Sequence, residues 1–250
     1  KAILEGQRDP HGLRELCDTQ IKKKKKEAVI ESLQGVWADE HLFALGQAVA
    51  AWEFYQNLVA QCDGQIEAVL KELAGPPPDA PESQSAKDKP HKPSGKNAPQ
   101  IEQFHQLMVR ICGGRDATEL PGIADYSWLQ LVSETGTDLE AWKCEKQFQS
   151  WCGLAPGTRQ SGKRKGRVKR HCNRAGRIFC VAAQTLYQSV DKGLGGFVRR
   201  ISRRKGGLVA TKALARKIGG LYYRVLRYGM EYAEKGLREY ELKHEETERR

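Results

Sequence analysis

Long apolar runs and paired cysteine motifs are both missing from this sequence. No apolar run approaches the roughly 20 residues that a membrane-spanning helix needs, so we expect a protein that does not enter a membrane. The seven cysteines are scattered at irregular spacings, and none forms a Cys-x-x-Cys pair. That pattern argues against a disulfide framework and a zinc site, and it is typical of reduced thiols. His171 and Cys172 are adjacent but have no second pair of ligands beside them, so we expect no metal site in this chain.

Carboxylates are also missing from one long stretch, because no Asp or Glu occurs between Glu145 and Asp191. The same stretch contains nine Lys and Arg residues within residues 159–177. A phosphodiester backbone is the natural partner of such a basic segment, which we therefore predict to bind DNA. Its cations are Arg159, Lys163, Arg164, Lys165, Arg167, Lys169, Arg170, Arg174 and Arg177. The alternative is a solvated basic surface on a protein with another function.

The positive charge is concentrated in the second part of the chain. Residues 1–99 carry 13 Lys and Arg against 15 Asp and Glu, whereas residues 100–250 carry 29 against 16. This asymmetry favours a nucleic-acid face in the second part over a generally basic surface.

Ser161 lies beside a glycine at the start of the basic segment, where its hydroxyl is a candidate nucleophile on phosphorus. Neighbouring cations, such as Arg159 and Lys163, are placed to neutralise the phosphate oxygens. A serine hydroxyl is a poor nucleophile unless a base or a metal ion activates it, and the segment supplies neither. Any metal ion or carboxylate base must therefore come from outside the segment. The alternative is that Ser161 is an ordinary loop serine.

Helical periodicity dominates the sequence and no convincing set of β-strands is visible, so we predict a mainly α fold. We expect a helical, coiled-coil-like connector over residues 1–74 and a disordered Pro-rich linker over residues 75–99. An all-helical domain with a helix-hairpin-helix element is expected over residues 100–250.

The connector contains two helical patterns. Residues 12–34 predict a helix that a lysine run interrupts, and residues 40–73 predict a longer helix with Asp39 as its N-cap. The apolar residues of the longer helix alternate by three and four, which is typical of a coiled-coil seam. They are Leu42, Leu45, Val49, Trp52, Val59, Ile66, Leu70 and Leu73. Two interpretations remain open: a seam between two chains, or an amphipathic helix packed on its own domain.

Four helices are expected in the last part of the chain, over residues 100–113, 126–135, 173–190 and 208–228. Gly136 is expected to end the second helix, and Asn173 to cap the third. The expected buried residues of the third are Ile178, Val181, Ala182, Leu186 and Val190. Those of the fourth are Leu214, Ile218, Leu221, Tyr222 and Val225. A second basic cluster lies between these two helices, at residues 199–205.

A short turn with Pro-Gly lies between the first two of these helices, which is the layout of a helix-hairpin-helix. The turn consists of Leu120, Pro121, Gly122 and Ile123. The glycine would let the backbone approach a ligand closely, and N–H groups at the start of the second helix would face a phosphate. Many ordinary turns also contain Pro-Gly, so the turn predicts a DNA contact only together with the basic segment.

The order of these motifs resembles the C-terminal domain of the insertion-sequence transposases of the IS-one-ten and IS-eleven-eleven group. These are DEDD-type serine recombinases that a bridge RNA guides. The motifs are Leu120-Pro-Gly-Ile123, Glu134-Thr-Gly136, Phe148 with Gly153-Leu-Ala-Pro156, Ser161-Gly162, Asn173 with Gly176-Arg177, and Lys212-Ala-Leu-Ala-Arg-Lys217. The resemblance covers residues 101–232, and the N-terminal part is similar to the helical connector of the family. The family turn usually reads Pro-Gly-Ile-Gly, and here Ala124 replaces the second glycine.

The resemblance implies DNA transposition by site-specific recombination, in which Ser161 joins covalently to the DNA strand. Family members carry a RuvC-like domain ahead of the connector, with four acidic residues that bind Mg²⁺. The sequence does not contain that domain, so we expect a fragment that is inactive by itself, with Mg²⁺ needed in the full-length protein. The active site would combine the acidic domain of one subunit with the serine domain of another.

The expected partners are DNA, a guide (bridge) RNA and further copies of the chain, as a dimer or a tetramer. The expected location is the bacterial cytoplasm, at the nucleoid. Two other hypotheses remain: a non-catalytic helical module that binds DNA or structured RNA, and a helical scaffold that dimerises through residues 40–73.

Overall fold

The computed structural model describes residues 1–24, 26–76, 98–156, 160–161, 164–165, 172–188 and 193–232. The fold is mainly α, which confirms the predicted class. The chain divides into two compact units, residues 1–65 and residues 66–250. Within the described residues, no helix is both long enough and apolar enough to cross a membrane. Residues 77–97 of the predicted linker lie outside the described part, and the predicted domain boundaries stay predictions.

The first unit contains three short helices, α1 (Pro10–Glu15), α2 (Thr19–Lys24) and α3 (Lys26–Ser32). They replace the predicted helix over residues 12–34. Two aspartates explain where α1 and α2 begin. Asp9 accepts hydrogen bonds from the backbone N–H groups of His11 and Gly12, and Asp18 accepts one from Gln20 at 2.8 Å. Each carboxylate thus satisfies N–H groups that a helix start leaves unpaired.

Helix α4 (Asp39–Ala74) matches the predicted long helix, but its predicted N-cap is wrong by one residue. The carbonyl of Ala38 accepts the first helical hydrogen bond, from Leu42, so Asp39 lies within the first turn. In that position, the positive end of the helix dipole stabilises the negative charge of the Asp39 carboxylate. Trp52 and Val59 of the predicted seam are 57% and 53% exposed in the single chain. The coiled coil stays a prediction.

The second unit is built around α10 (Gly207–Tyr228), which contacts α7 (Glu145–Trp151), α8 (Arg174–Thr185) and α9 (Leu194–Lys205). Its other elements are α5 (Phe104–Ile111), α6 (Asp125–Thr135), the 3-10 helices Ala117–Glu119 and Leu186–Gln188, and the strands β1 (Gln160–Ser161) and β2 (Arg164–Lys165). All five residues predicted to face inward on α10 are buried. The spacing of the apolar residues along this helix therefore predicted correctly which of its side chains are buried.

Helix α8 differs from its predicted form in length and in its buried face. It ends at Thr185, and the predicted inner residue Val181 is 59% exposed. Phe179 and Ala183 are fully buried instead, beside the correctly predicted Ala182 and Leu186. The buried face is therefore rotated towards the aromatic core, where Phe179 finds a partner. Val190 lies outside the described residues.

Phe148 on α7 is the centre of that aromatic core. It is fully buried, and five aromatic rings have centroids between 5.1 and 6.2 Å from its own. These rings belong to Trp142, Trp151, Phe179, Tyr222 and Tyr223. Edge-to-face and offset pairs at such distances add to the free energy gained by burial. The cluster holds α7 against α8 and α10, directly before the Ser161 region.

Candidate nucleic-acid interface

The segment that contains Ser161 leaves the core after α7 and returns to it at α8, and Asn173 joins these two points. The Asn173 side-chain oxygen accepts a hydrogen bond from the Gly176 N–H at 2.8 Å, which confirms the predicted N-cap. The side-chain amide of Asn173 also donates to the Trp151 carbonyl at 3.1 Å. One side chain therefore starts α8 and ties it to the last residue of α7.

Gly176 brings the same two points into direct backbone contact. A Cβ atom at this position would lie 2.0 Å from the Cys152 carbonyl oxygen, so only glycine fits. Beside it, the Cys172 thiol lies 3.7 Å from the Gly153 carbonyl oxygen. We call Cys152, Gly153, Asn173 and Gly176 the loop base, because they hold the ends of the intervening segment together.

Within the segment whose ends the loop base holds together, β1 and β2 form an antiparallel pair that the sequence did not predict. Ser161 pairs with Arg164, and Gln160 pairs with Lys165. Strands of two residues are too short for a sequence pattern to reveal. The register sets the backbone of the candidate nucleophile opposite a cation of the basic segment.

The other predicted DNA-binding residues divide into two groups. Arg159, Lys163, Arg167, Lys169 and Arg170 lie outside the described residues. Arg174 and Arg177 lie in the first turn of α8 and are exposed, and Arg174 is 3.4 Å from Glu134. An exposed ion pair of this kind contributes little free energy and leaves Arg174 available to a phosphate. The DNA contacts of all nine cations stay predictions.

The predicted hairpin packs against α8. Leu120 and Ile123 are buried, and Gly122 has a φ of +85°, which favours glycine. A Cβ atom on Gly122 would lie 2.7 Å from the Ala182 carbonyl oxygen. Contact with α8 thus explains this glycine without a phosphate. The DNA contact predicted for the turn, including Pro121, stays a prediction.

Ala124 caps α6 from an extended backbone conformation, with φ −108° and ψ 165°. Any residue adopts these angles without strain, so the backbone at this position does not need a glycine. Helix α6 ends as predicted, with Gly136 at a φ of +75° and its N–H donating to the Val132 carbonyl.

The His105 side chain contacts two aspartates, Asp116 and Asp125, which lie on either side of the predicted hairpin in the sequence. Its Nδ1 lies 2.9 Å from an Asp125 carboxylate oxygen, and its Nε2 lies 3.4 Å from Asp116. Hydrogen bonds to Asp116 and Asp125 raise the pKa of His105 to about 10, against the opposing effect of burial. Burial raises the pKa of Asp116, but the hydrogen bonds from His105 and Thr118 outweigh it and lower that pKa. No pattern in the sequence indicated that these three residues would meet, because they lie on separate elements.

The raised pKa of His105 predicts a pH-dependent contribution to stability. The contribution should be fully present below the unfolded-state pKa of about 6.5 and should be lost as the pH rises through about 10. We expect His105→Gln to lower the free energy of unfolding at pH 6.5 by about 1.5–3 kcal/mol. Denaturant unfolding at several pH values measures this, with the exposed His41→Gln as control. A difference between wild type and His105→Gln that stays constant up to pH 10.5 would contradict the linkage.

A cleft of about 500 Å³ lies beside the start of the Ser161 segment, and we call it the α10 cleft. Its walls include Leu154, Pro156, Phe197, Lys212, Arg216 and Lys217. The Arg216 Nε donates to the Gln149 side-chain oxygen at 2.8 Å, and the Gln149 amide donates to the Arg216 carbonyl at 3.0 Å. Burial, together with repulsion from Arg200 and Arg224, lowers the pKa of Lys217 to about 8. No sequence pattern indicated this cleft, because residues of three helices and of the segment after α7 come together to form it.

A second basic surface lies on α9. Arg203, Arg204 and Lys205 are exposed in the last turn of this helix. The negative end of the helix dipole stabilises their positive charges there. This surface matches the second basic cluster of the sequence. It is a competing location for nucleic-acid contacts.

Comparison with known proteins relates the hairpin, the basic segment and α8 to a transposase family. Residues 115–198 match the family model described as Transposase IS116/IS110/IS902 family. The match supports the insertion-sequence transposase group and, in general terms, DNA transposition or recombination. No curated protein and no solved structure gives a significant match to this chain.

Proposed function

We propose that this protein contributes the nucleophile to DNA strand transfer, with Ser161 forming a covalent phosphoserine with the DNA. The observation that supports this most is the family match over residues 115–198, because that range contains Ser161 and the whole basic segment. The loop base adds a structural reason, since it fixes where the segment leaves and re-enters the core.

The proposed reaction exchanges one phosphodiester bond for another. The Ser161 hydroxyl loses its proton as its oxygen bonds to phosphorus, and one bond from phosphorus to a sugar oxygen breaks. The departing sugar oxygen takes up a proton and leaves as a hydroxyl group. Because the number of phosphoester bonds is unchanged, a second sugar hydroxyl can attack the phosphoserine and complete strand transfer without an external energy source.

Cations of the basic segment would stabilise the charge that develops on the phosphate. Arg164 is one candidate, because its backbone pairs with that of Ser161 in the β1–β2 ladder. Guanidinium groups suit the task, because they pair with two phosphate oxygens at once and stay charged at every physiological pH. Such stabilisation is often the largest single contribution to catalysis by an enzyme.

Mg²⁺ is the metal ion that the family resemblance implies, and the described residues do not fit it. Among them, no three His, Cys, Asp or Glu side chains are grouped so that they could hold a metal ion. We therefore propose that any Mg²⁺ site is built from carboxylates of a RuvC-like domain in the full-length protein. The steps assigned to this chain are binding the strand, neutralising its phosphate and presenting the serine.

We further propose that a guide RNA and additional copies of the chain complete the recombinase, which would act at the bacterial nucleoid. Exposed apolar side chains on α4 support an oligomer. Trp52, Phe54, Tyr55 and Val59 are each more than half exposed in the single chain. Burial of such side chains against a second copy would contribute about 1.5–3 kcal/mol each.

A non-catalytic nucleic-acid-binding module is the second candidate function. The exposed cations of α9 favour it, because they give the protein a basic surface that needs no nucleophile. The two candidates differ in one respect that can be measured: only the first forms a covalent bond to DNA.

Substitution of Ser161 separates the two functions. In the full-length recombinase, with its DNA ends, guide RNA and Mg²⁺, we expect Ser161→Ala to reduce the covalent protein–DNA adduct at least a thousandfold. DNA affinity should change less than twofold, because one hydroxyl contributes little to a contact dominated by charge. Labelled DNA on a denaturing gel measures the adduct, and a filter-binding titration measures the affinity.

Ser150→Ala is the matched control, since Ser150 is an exposed serine on α7. It should form the adduct at the wild-type level. An adduct that persists in Ser161→Ala would show that another residue is the nucleophile. A wild-type protein that binds DNA but forms no adduct would favour the non-catalytic module.

A further inference from the structure

The α10 cleft lies beside the start of the segment that carries Ser161. Leu154, Ala155 and Pro156 line it, and they are the last described residues before β1. Ser161 lies five positions after Pro156 in the sequence, and five residue steps span at most about 18 Å when fully extended. A strand bound at Ser161 could therefore place a nearby nucleotide in the cleft.

The charges in the cleft suit an anion. Lys212, Arg216 and Lys217 follow one another along α10, and the carboxylate in the cleft wall belongs to Glu145. Glu145 is already paired with Arg224, whose Nε lies 2.7 Å away. Within the described part of the chain, neither Lys212 nor Arg216 has a carboxylate within ion-pair distance. A bound phosphate would supply the missing negative charge.

Arg216 is held ready for such a ligand. Its two hydrogen bonds with Gln149 fix the position of the helix turn and the plane of the guanidinium group. A guanidinium that is already oriented loses less conformational entropy when it binds a phosphate. Lys217 is crowded by Arg200 and Arg224, and an anion in the cleft would relieve that repulsion.

The remaining walls suit the uncharged part of a nucleotide. Leu154, Pro156, Phe197 and Val209 add apolar surface to the cleft beside the cations of α10, and the Phe197 ring lies 4.6 Å from the Lys217 ammonium nitrogen. A volume of about 500 Å³ falls in the range of small-molecule sites, which are mostly apolar with a few polar groups that fix orientation. An unpaired nucleotide, with its phosphate at one end and its base at the other, matches this division.

We propose that the α10 cleft binds one unpaired nucleotide of the strand that Ser161 engages, with its phosphate at Lys212, Arg216 and Lys217. The base and sugar lie against the apolar wall. This assignment rests on the proposed function for the identity of the strand, but binding in the cleft can be measured without strand transfer. The strand is DNA or guide RNA, which share the phosphate and the base.

The test measures fluorescence anisotropy of labelled single-stranded DNA and RNA 10-mers with the full 250-residue chain. We expect Lys212→Gln to weaken single-strand binding about tenfold, the effect of losing one charged hydrogen bond. Lys146→Gln, which removes the same charge from an exposed position on α7, should weaken it less than twofold. Deoxyadenosine monophosphate should compete with the 10-mer for the wild type and not for Lys212→Gln.

A second variant tests the cleft without changing its charge. Ala213 lines the cleft, and Ala213→Phe should fill it and weaken single-strand binding by a similar factor. Circular dichroism and a melting curve establish that each variant is folded. If Ala213→Phe does not fold, the monophosphate competition still decides the question. A preference for the DNA or the RNA 10-mer identifies the strand.

Equal effects of Lys212→Gln and Lys146→Gln, no competition by the monophosphate, or no binding of either 10-mer would each overturn the proposal. Its failure can be told from failure of the proposed function. If the cleft variants behave as wild type while Ser161→Ala abolishes the adduct, only the cleft assignment falls. If the cleft variants lose single-strand binding while no adduct depends on Ser161, only the proposed chemistry falls.

Discussion

Replacement of Gly176 by alanine is expected to lower the melting temperature by roughly 5–10 °C, because about 2–3 kcal/mol of overpacking strain enters the loop base. The added methyl group would lie 2.0 Å from the Cys152 carbonyl oxygen, far inside van der Waals contact. Neither partner can rotate away, since both atoms are fixed by the backbone. Helix α8 must therefore shift away from α7, which also strains the Asn173 cap.

The same shift should reduce function at temperatures where the variant is still folded. The loop base fixes both ends of the segment that contains Ser161, so a displaced α8 alters where that serine is presented. We expect the yield of covalent adduct in the full-length recombinase to fall at least tenfold at 20 °C. Differential scanning calorimetry measures the stability, and the denaturing gel measures the adduct.

Gly219→Ala is the matched control for Gly176→Ala. Gly219 is also a buried glycine within a helix, but its nearest contacts would be the side chains of Leu154 and Phe179 at 3.6 Å. That is an ordinary contact distance, and alanine favours a helix by about 1 kcal/mol relative to glycine. Gly219→Ala should therefore melt at or above the wild-type temperature. Equal melting temperatures for the two variants would show that the loop base is not packed as described.

Features that depend on local chemistry were predictable from the sequence. Asn173 was identified as a helix cap because its short polar side chain reaches backbone N–H groups three residues on, and the structure has that bond. Gly136 ends α6 with a positive φ, as a glycine after an apolar periodic segment predicts. The inward face of α10 followed from a regular apolar pattern over 22 residues. In each case the cause lies within one turn or one helix.

Features that depend on distant contacts were not predictable. Helix α7 has seven residues, too few for a periodic pattern, and the aromatic core around Phe148 determines its position. Val181 was expected to be buried, but α8 turns Phe179 inward to meet that core. The reason for the glycine at position 122 was not predictable either. Helix α8 approaches this position so closely that a side chain would not fit.

The candidate site divides in the same way. Composition predicted the basic segment, because an uninterrupted excess of cations is visible without any structure. The His105 cluster and the α10 cleft could not be predicted, because their residues are separated by many positions and meet only in the folded unit. A pair such as Arg216 and Gln149, 67 residues apart, leaves no local signal.

Charge reversal in the basic segment is expected to have the largest effect on nucleic-acid binding. The segment has no carboxylate, so its cations can contact phosphates without competing ion pairs within the segment. Each phosphate contact on duplex DNA contributes about 0.9 to the slope of log K against log salt concentration, through release of counterions. Replacing Lys165, Arg167 and Lys169 with Glu should therefore reduce the steepness of that slope by about 2.7.

The loss of affinity should be greatest at low salt and should shrink as the salt concentration rises, because salt weakens the extra phosphate contacts that only the wild type makes. Titrations of labelled duplex DNA between 50 and 300 mM salt, in wild type and variant, measure both slopes. This range includes physiological salt concentrations, where phosphate contacts dominate binding.

A second triple variant provides the comparison that locates the interface. Arg203, Arg204 and Lys205 are exposed on α9 and carry the same total charge, so their replacement with Glu changes the net charge equally. If the basic segment is the interface, this variant should keep most of the wild-type slope. An unchanged slope in the first variant together with a reduced slope in the second would move the interface to α9. In that case Ser161 would lie away from the bound strand, and the covalent mechanism would lose its physical basis.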